Sequence, residues 1–518
     1  AQRENAKAFI TGEIGSVGAG FVLSTRIIAT ADGRELVALR ETATDETEVI
    51  PAIDRLSKRL RERVGESLKS LNNTEKLELV STSSLEALKK YSQAVRLDDN
   101  GGDPALAAQL LQEAVAADST FAMAWRKLSV VSRRASLPMS LSLEAGQKAY
   151  DLRDRLTPLE RQLAISTYYS ANQPDFDKQI AAHKAALEID PNDRTSLNNL
   201  ALAYRDIGRY EDAEAVARRA VEVDHSWFAY GHLAFALTAQ GRFAEADSAL
   251  QELDRVTPGQ PRGVVMQAAL RSAQGDYAGA DSVLRGLIKA RSERAYLFQA
   301  TVDRVNIAVT EGRVTEAVNW LSDLVDVATR DGNLLQVYGV TIGMANLDYT
   351  GRPRPKADLS AVERLLAEHP LDSLAPADRP YGGLAMLYAA AGQPEQARRY
   401  LALDQKFQPR EWNPPLGRSR FVEAKVLESE GKYPEALAAY QDATRMPRNG
   451  EYCRECGDFY VGRVFDRMNQ PDSALTAYNR AVNTPMLNRN AGEAGVLGPT
   501  LRRMGELYEA RGERDKAK

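Results

Sequence analysis

The stretch GRYEDAEAVARRAVEVD occupies residues 208–224, and its opening pattern returns several times along the chain. GRFAEADSALQEL begins at Gly241, GDYAGADSVLRGL at Gly275 and GKYPEALAAYQDA at Gly431. Each copy opens with glycine, a polar residue and an aromatic residue, and alanine follows three positions after the aromatic. A pattern that returns at a near-constant spacing indicates an array of stacked structural units.

The spacing of the copies is regular at first and looser later. The first four glycines are separated by 33, 34 and 37 residues, and the later spacings are about 40. The positions that begin a copy are Gly208, Gly241, Gly275, Gly312, Gly351, Gly392, Gly431, Asn469 and Gly512. A period of this length fits one helical hairpin per unit.

The residues around each glycine predict two helices. An apolar pattern with helical periodicity precedes the glycine, as in TSLNNLALAYRDI, and another follows it, as in EDAEAVARRAVEV. Glycine ends the first helix because it tolerates the left-handed backbone conformation. The aromatic residue fills the corner, and the alanine lets the two helices approach closely. The alanines concerned are Ala213, Ala246, Ala280, Ala317, Ala397, Ala436 and Ala474.

This arrangement resembles the tetratricopeptide repeat. The best-matching unit has large, small and aromatic residues on its first helix and small residues on its second, namely Leu200, Ala201, Tyr204, Ala213, Ala217 and Ala220. The resemblance implies a mostly α fold, a right-handed helical solenoid of roughly eleven hairpins over residues 83–518. We expect the array to be most regular over residues 157–290.

The first residues of the chain predict a different, small α/β domain over residues 1–72. Dense apolar and β-branched residues indicate strands near 7–14, 20–30 and 35–43. GSVGAG is predicted to be a hairpin turn between the first two strands and not a phosphate loop. A helix follows with Ile50, Ile53, Leu56, Leu60 and Val64 on one face. Three strands and one helix make a small core, so part of this domain is expected to be missing.

The TGEI strand and the stretch AIDRLSKRLRERVGESL resemble the TolB-amino-terminal-like or FlgO-like domain. This domain followed by tetratricopeptide repeats resembles the sensory carboxy-terminal half of certain bacterial serine/threonine kinases and transcriptional regulators. The resemblance implies two functions. The first is a non-catalytic scaffold or sensor that binds a protein or peptide. The alternative is the regulatory half of a larger kinase whose catalytic domain is absent from this chain.

The composition limits the classes of partner. The chain has 518 residues, a net charge of -4 and no apolar run long enough to span a bilayer. We therefore expect neither nucleic-acid binding nor a membrane span. The chain begins without methionine inside a strand-like segment, so we expect a fragment of a longer protein. Its compartment is left open: cytoplasmic, or extracytoplasmic if a membrane segment lies upstream.

The chemistry-bearing motifs are few. No Walker loop, zincin helix or serine nucleophile elbow is present, so we predict no catalytic, cofactor or metal site and no enzyme activity. Cys453 and Cys456 form a CxxC pair. They are compatible with buried thiols or a structural disulfide, with a redox pair, or with half of a zinc site. The structural interpretation is favoured, because no general base or further ligands accompany them.

The partner is predicted to bind in the groove around residues 195–240, where the units are most regular. Asn198 and Arg205 are left over after core positions are assigned on the first helix, and Tyr230 and His232 occupy similar places in the next unit. Asparagine can bind an extended peptide backbone, and arginine can bind a carboxylate. The basic residues of the carboxylate clamp known in tetratricopeptide repeats are not reproduced alongside Asn198.

Overall fold

The computed structural model describes residues 7–65, 81–99, 102–135, 137–223, 225–290, 294–351, 356–407, 417–445, 457–483 and 495–517. The chain divides into two compact units. The first contains residues 1–172 and 182–191, and the second contains residues 173–181 and 192–518.

The first unit begins with a three-stranded antiparallel sheet. Its strands are β1 (Ala8–Val17), β2 (Gly20–Ala29) and β3 (Glu35–Ala43), in the order β1-β2-β3. Val17 pairs with Gly20 across a tight turn, in which Gly18 has φ 62. The GSVGAG segment is therefore a hairpin turn, as predicted, because Gly18 takes a conformation that other residues rarely adopt.

A helix, α1 (Val49–Arg63), packs against β2 and β3. Ile50 and Leu56 are buried, while Ile53 and Leu60 are partly buried at the same core. The prediction for Val64 is wrong: it follows the last helical residue and is 62% exposed. A helix that ends at residue 63 cannot present residue 64 to the sheet.

Among the described residues, six further helices lie between α1 and residue 192. They are α2 (Leu85–Asp99), α3 (Pro104–Ala117), α4 (Ala122–Arg134), α5 (Met139–Asp151), α6 (Pro158–Ala171) and α7 (Phe176–Ile189). The helices α2 and α3 pack as one pair, and α4 and α5 as the next. Phe121, Leu111 and Leu128 are fully buried in their shared core. Residues of α7 are divided between the two units.

The described part of the second unit consists of helices in sequence. The regular hairpins are α8 (Arg194–Asp206) with α9 (Tyr210–Val223), α10 (Trp227–Ala239) with α11 (Phe243–Val256), α12 (Pro261–Ala273) with α13 (Tyr277–Lys289), and α14 (Arg294–Thr310) with α15 (Val314–Arg330). Less regular are α16 (Leu334–Gly351) and α17 (Ser360–Glu368). The last hairpins are α18 (Tyr381–Ala390) with α19 (Pro394–Phe407), α20 (Gly417–Ser429) with α21 (Tyr433–Arg445), α22 (Gly457–Arg467) with α23 (Pro471–Asn483), and α24 (Leu497–Ala510) with α25 (Arg514–Ala517).

The turn glycines have the predicted conformation. Gly208 has φ 79, and its N–H donates to Arg205 O while the N–H of Arg209 donates to Tyr204 O. Those two bonds satisfy carbonyl groups that the helix end leaves open. Asn469 replaces glycine with φ 56, because asparagine tolerates this region better than most residues. The same left-handed conformation occurs at Gly241, Gly275, Gly312, Gly392, Gly431 and Gly512.

One unit boundary in the sequence interpretation is wrong. Gly351 does not begin a new turn but is the last residue of α16. Gly332, with φ 67, makes the turn between α15 and α16 instead. The helices α14, α15 and α16 are 17 to 18 residues long, against 13 or 14 in the earlier hairpins. The longer helices displace the pattern, which explains why the period loosens there.

In several of the described hairpins, a residue of the first helix lies in the same core as the residue sixteen positions later on the second helix. The pairs are Ala201 with Ala217, Ala234 with Leu250, Ala268 with Leu284, Ala424 with Tyr440, and Gly462 with Tyr478. The member on the first helix is small in every pair. The alanines predicted to permit close approach are also buried. The fold of the described helices is a solenoid of the predicted type, and none of them is long and apolar enough to cross a membrane.

Candidate functional site

The first helices of successive hairpins lie side by side in the second unit. The helices α8 and α10 pack together, as do α10 and α12, and α12 and α14. The near-constant spacing of 33 and 34 residues brings equivalent positions of α8, α10 and α12 into line. We call the surface that these three helices form the first-helix wall.

Arg205 joins two helices of the first-helix wall. Its guanidinium carbon lies 4.7 Å from the centroid of the Phe235 ring on α10. Its Nε and Nη2 donate hydrogen bonds of 3.1 and 3.0 Å to Asp206 Oδ1. The contact with the aromatic ring restricts the guanidinium, and an arginine held in this way loses less conformational freedom on binding a carboxylate.

A second arginine repeats this arrangement between α10 and α12. The guanidinium carbon of Arg262 lies 4.0 Å from the centroid of the Trp227 ring. Trp227 itself is buried and stacks on Phe228, with ring centroids 3.4 Å apart. The wall thus carries two arginine–aromatic pairs on consecutive helices.

The positive charges of Arg205 and Arg262 both act on the imidazole of His232. Burial, together with the smaller effects of the positive charges of Arg205 and Arg262, lowers the pKa of His232 to about 3. The residue keeps partial exposure, which favours protonation and limits the fall. Its imidazole is therefore neutral near pH 7 and can donate one hydrogen bond and accept another.

Five polar atoms on α8, α10 and α12 and on the residue before α12 are buried without a hydrogen-bond partner among the described residues. They are Ser196 Oγ, Asn198 Oδ1, Trp227 Nε1, Gln260 Oε1 and Ser272 Oγ. A buried polar atom without a partner costs roughly 1–3 kcal/mol, so a water or ligand that reaches it recovers free energy. Asn198 thus lies on the predicted helix, with its acceptor oxygen enclosed.

Tyr230 does not lie where the sequence interpretation puts it. The sequence predicts a position outside the core, but the residue is only 4% exposed and belongs to the core cluster with Trp227 and Leu250. Its hydroxyl oxygen lies 3.0 Å from His225 Nδ1. Of the four predicted partner-binding residues, Arg205 and His232 come together, Asn198 lies on the neighbouring part of α8, and Tyr230 packs inward.

Sequence reasoning missed Arg262. It follows Pro261 at the beginning of α12, and nothing in the local periodicity separates it from the other arginines of the chain. Trp227 and Phe235, which are not among the predicted partner-binding residues, provide the aromatic faces of the two pairs. The signal that could have identified them combines two features. The first helix of one hairpin has an aromatic residue at its start or middle, and the first helix of the adjacent hairpin has an arginine.

The remaining predicted site, Cys453 and Cys456, lies outside the described residues. Among the residues that the structure describes, no group of three or more His, Cys, Asp or Glu side chains is placed to hold a metal ion.

Comparisons with known proteins concern the hairpins. Sequence models of the tetratricopeptide repeat match residues 194–223, 227–252 and 379–402. These stretches correspond to α8 with α9, α10 with α11, and α18 with α19. The curated Small glutamine-rich tetratricopeptide repeat-containing protein 2 of Mycosarcoma maydis is 32% identical over 98 residues. That match covers 19% of this chain and spans 28% of the relative's length.

Solved structures also align with parts of the chain. A thermophilic tetratricopeptide-repeat protein of Thermus thermophilus aligns over 36% of this chain and 98% of its own, with 18% identity and a TM-score of 0.30. A tetratricopeptide repeat protein from Parabacteroides merdae aligns over 60% of this chain and 99% of its own, with 14% identity and a TM-score of 0.28.

In each matched stretch, a glycine with left-handed backbone conformation follows the first helix of the hairpin. The two helices pack through buried alanines. The chain is a helical-hairpin protein in which three stretches match sequence models of the tetratricopeptide repeat.

Proposed function

We propose that this chain is a non-catalytic scaffold that binds a protein or peptide partner along the first-helix wall. The observation that carries the proposal is the pair of arginines stacked on aromatic rings, Arg205 on Phe235 and Arg262 on Trp227, on either side of His232. Tetratricopeptide repeats are interaction modules, and the matches at residues 194–223 and 227–252 cover the helices that carry Arg205 and His232.

The chemistry of the wall favours a peptide with carboxylates and aromatic groups. Two guanidinium groups offer positive charge, and one of them, Arg205, shares its charge with Asp206. The partly exposed ring of Phe235 adds apolar area, whereas the buried ring of Trp227 supports Arg262. Arginine and aromatic residues supply a large part of the binding energy in protein interfaces. We expect acidic and aromatic residues in the segment that binds.

Selection from a random peptide library tests the proposal although the natural partner is unidentified. Peptides are selected on the intact chain and then assayed on Arg205→Ala and Arg262→Ala variants. Each substitution should weaken the selected peptides by about 1–2 kcal/mol, which is roughly 5-fold to 30-fold in Kd. Neither arginine belongs to a core cluster, so the variants should stay folded.

Arg255→Ala is the matched control. Arg255 lies on the second helix α11, is exposed and pairs with Glu252 at 2.5 Å. Peptides that bind this variant as tightly as the unchanged protein but lose affinity for the other two support the wall as the site. Selected peptides that bind all variants equally would refute the proposal. A circular dichroism spectrum of each variant shows whether the variant is folded.

The sensor role and the kinase alternative are further proposals. They are motivated by the order of the modules, a small sheet with one helix followed by helical hairpins. Detection of the native polypeptide in its source cells with an antibody against the hairpins would measure its full length. A longer polypeptide that phosphorylates itself would support the kinase alternative, and one without kinase activity would exclude it.

A further inference from the structure

Lys425 lies among aromatic side chains in the last hairpins. It is on the first helix α20, and its Nζ lies 3.6 Å from the centroid of the Tyr460 ring and 5.5 Å from that of Phe421. Both rings are at least nine-tenths buried. The amine is thus placed against ring carbons on these sides, while the residue as a whole keeps partial exposure.

No anion compensates Lys425 directly. Within the described residues, its ammonium group makes no ion pair and no hydrogen bond. The nearest carboxylate, that of Glu428, is occupied by other donors. Arg463 Nη2 donates to Glu428 Oε1 at 2.6 Å, and Tyr440 Oη donates to Glu428 Oε2 at 2.8 Å.

Other charged groups on the helices that pack against α20 are also paired. Arg398 of α19 binds Glu430 at 2.6 Å, and Arg420 binds Asp442 of α21 at 3.0 Å. The charges that act on Lys425 are therefore those of Arg463, which disfavours a second positive charge, and Glu428, which favours it.

These surroundings destabilise the ammonium form. Burial, and to a smaller extent the positive charge of Arg463, lowers the pKa of Lys425 to about 7, although the carboxylate of Glu428 raises it. Contact with the ring of Tyr460 favours the cation, but it offers no hydrogen-bond acceptor on that side of the ammonium group. A lysine near a second cation and partly removed from water is the usual form of an activated amine nucleophile.

We propose that Lys425 is an acylation site, at which the side-chain amine attacks an acyl phosphate. The lone pair on Nζ forms a bond to the carbonyl carbon of the donor. The bond from that carbon to the phosphate oxygen breaks, and phosphate leaves with the electron pair. The amine loses one proton to solvent, and a neutral amide remains. No oxidant or reductant is needed.

Acylation would change the charge of this surface. The modified side chain loses its positive charge, and Arg463 keeps its bond to Glu428 without a competing cation nearby. Before acylation, the surface formed by α20 and α22 has two cationic groups, Lys425 and Arg463, and one anionic group, Glu428. After acylation, only Arg463 and Glu428 would remain charged.

The test uses acetyl phosphate on the folded chain and peptide mass spectrometry to measure the initial rate at each lysine. Lys432 is the matched internal control, because it is exposed and pairs with Glu430 at 3.0 Å. At pH 7 we expect acetylation of Lys425 to be at least about 10-fold faster, since an unperturbed lysine has a pKa near 10.4 and almost no free amine. In urea the difference should disappear.

The pH profile distinguishes activation from mere accessibility. The rate at Lys425 should level off above pH 8, whereas the rate at Lys432 should continue to rise through pH 9. An Arg463→Gln variant should slow acetylation of Lys425 at pH 7, because the released Glu428 carboxylate favours the ammonium form. Equal rates at the two lysines in the folded wild-type chain, or parallel profiles, would overturn the proposal even if the variant did not fold.

Discussion

Two hairpins near opposite ends of the second unit pack their two helices together with different pairs of side chains. Hairpin α10–α11 sets Ala234 against Leu250, and hairpin α22–α23 sets Gly462 against Tyr478. A Cβ on Gly462 would lie 2.4 Å from Cε1 of Tyr478. A larger residue on the second helix is therefore matched by a smaller one on the first. The separation of the helices depends on the two side chains together, and neither residue alone predicts it.

The buried tyrosines bring a charge network with them. Tyr440 donates to Glu428, and Tyr478 donates to Asp466 at 2.8 Å, each to an acid twelve residues earlier. Each acid also binds an arginine of the next first helix: Glu428 binds Arg463, and Asp466 binds Arg503 at 3.0 Å. A tyrosine–acid–arginine chain thus links α20 to α22 and α22 to α24.

In the earlier hairpins the corresponding cross-link joins the second helix α9 to the residue before α11, and it is nearer to solvent than the Glu428–Arg463 pair. Glu214 of α9 accepts a hydrogen bond of 2.6 Å from Arg242, which is 37% exposed, and it also pairs with Arg218. Exposed ion pairs contribute little to stability, whereas a buried pair that loses one partner is strongly destabilised. The two regions should therefore respond differently to the same kind of substitution.

The largest effect is expected from Glu428→Ala. The substitution leaves Arg463 and the Tyr440 hydroxyl without their acceptor in a buried place, which should cost about 3–5 kcal/mol. The matched change Glu214→Ala in the earlier hairpins should cost about 1 kcal/mol or less. Denaturant unfolding measures both, and hydrogen exchange locates the loss in α20–α23. Similar costs for the two variants would contradict the contrast.

Gly462→Ala should cost about 1–3 kcal/mol, because the new methyl group meets the ring of Tyr478. Adding Tyr478→Leu should recover part of this loss, since the double variant reproduces the Ala234–Leu250 pair of the earlier hairpin. A double-mutant cycle of denaturant midpoints gives the coupling. Additive effects would show that the two positions do not share one packing site.

Tyr440→Phe should cost about 1.5 kcal/mol, because the hydroxyl donates to a charged carboxylate. Tyr230→Phe should cost about 1 kcal/mol or less, since the hydroxyl of Tyr230 contacts the imidazole of His225. The difference in unfolding free energy between the variants measures the extra strength of the charged bond. A larger loss at Tyr230 would reverse the comparison.

The smallest effect concerns pH. His232 has its pKa lowered from 6.5 to about 3 in the folded state, so the unfolded chain binds the proton first as pH falls. Stability should decrease as pH falls below 6.5, by no more than about 1 kcal/mol between pH 6.5 and 5.5. His232→Gln should flatten this slope in denaturant titrations at the two pH values.

Asp303 on α14 is expected to act in the opposite direction. Burial raises the pKa of Asp303 to about 6, although the hydrogen bond from Gln299 lowers it. The folded chain therefore binds this proton first, and stability should increase as pH falls below 6. Asp303→Asn should make the acid-side loss of stability steeper, which is the reverse of the change expected for His232→Gln.

The sequence alone determined the strands, the hairpin array and most of its turns. These features depend on local rules. A left-handed position such as Gly208 needs glycine or asparagine, and a helix that packs closely needs a small residue such as Ala213. The strands β1 to β3 and the turn at Gly18 were also predictable, because alternation and turn residues lie next to each other in the chain.

Only the tertiary structure decided which side chains meet. Tyr230 is turned into the core, Arg262 stacks on Trp227 from the following hairpin, and Lys425 lies on the ring of Tyr460, 35 residues further along. Helical periodicity shows which face a residue occupies on its own helix. It does not show which residues the neighbouring hairpins present to that face, and burial and electrostatic effects depend on those neighbours.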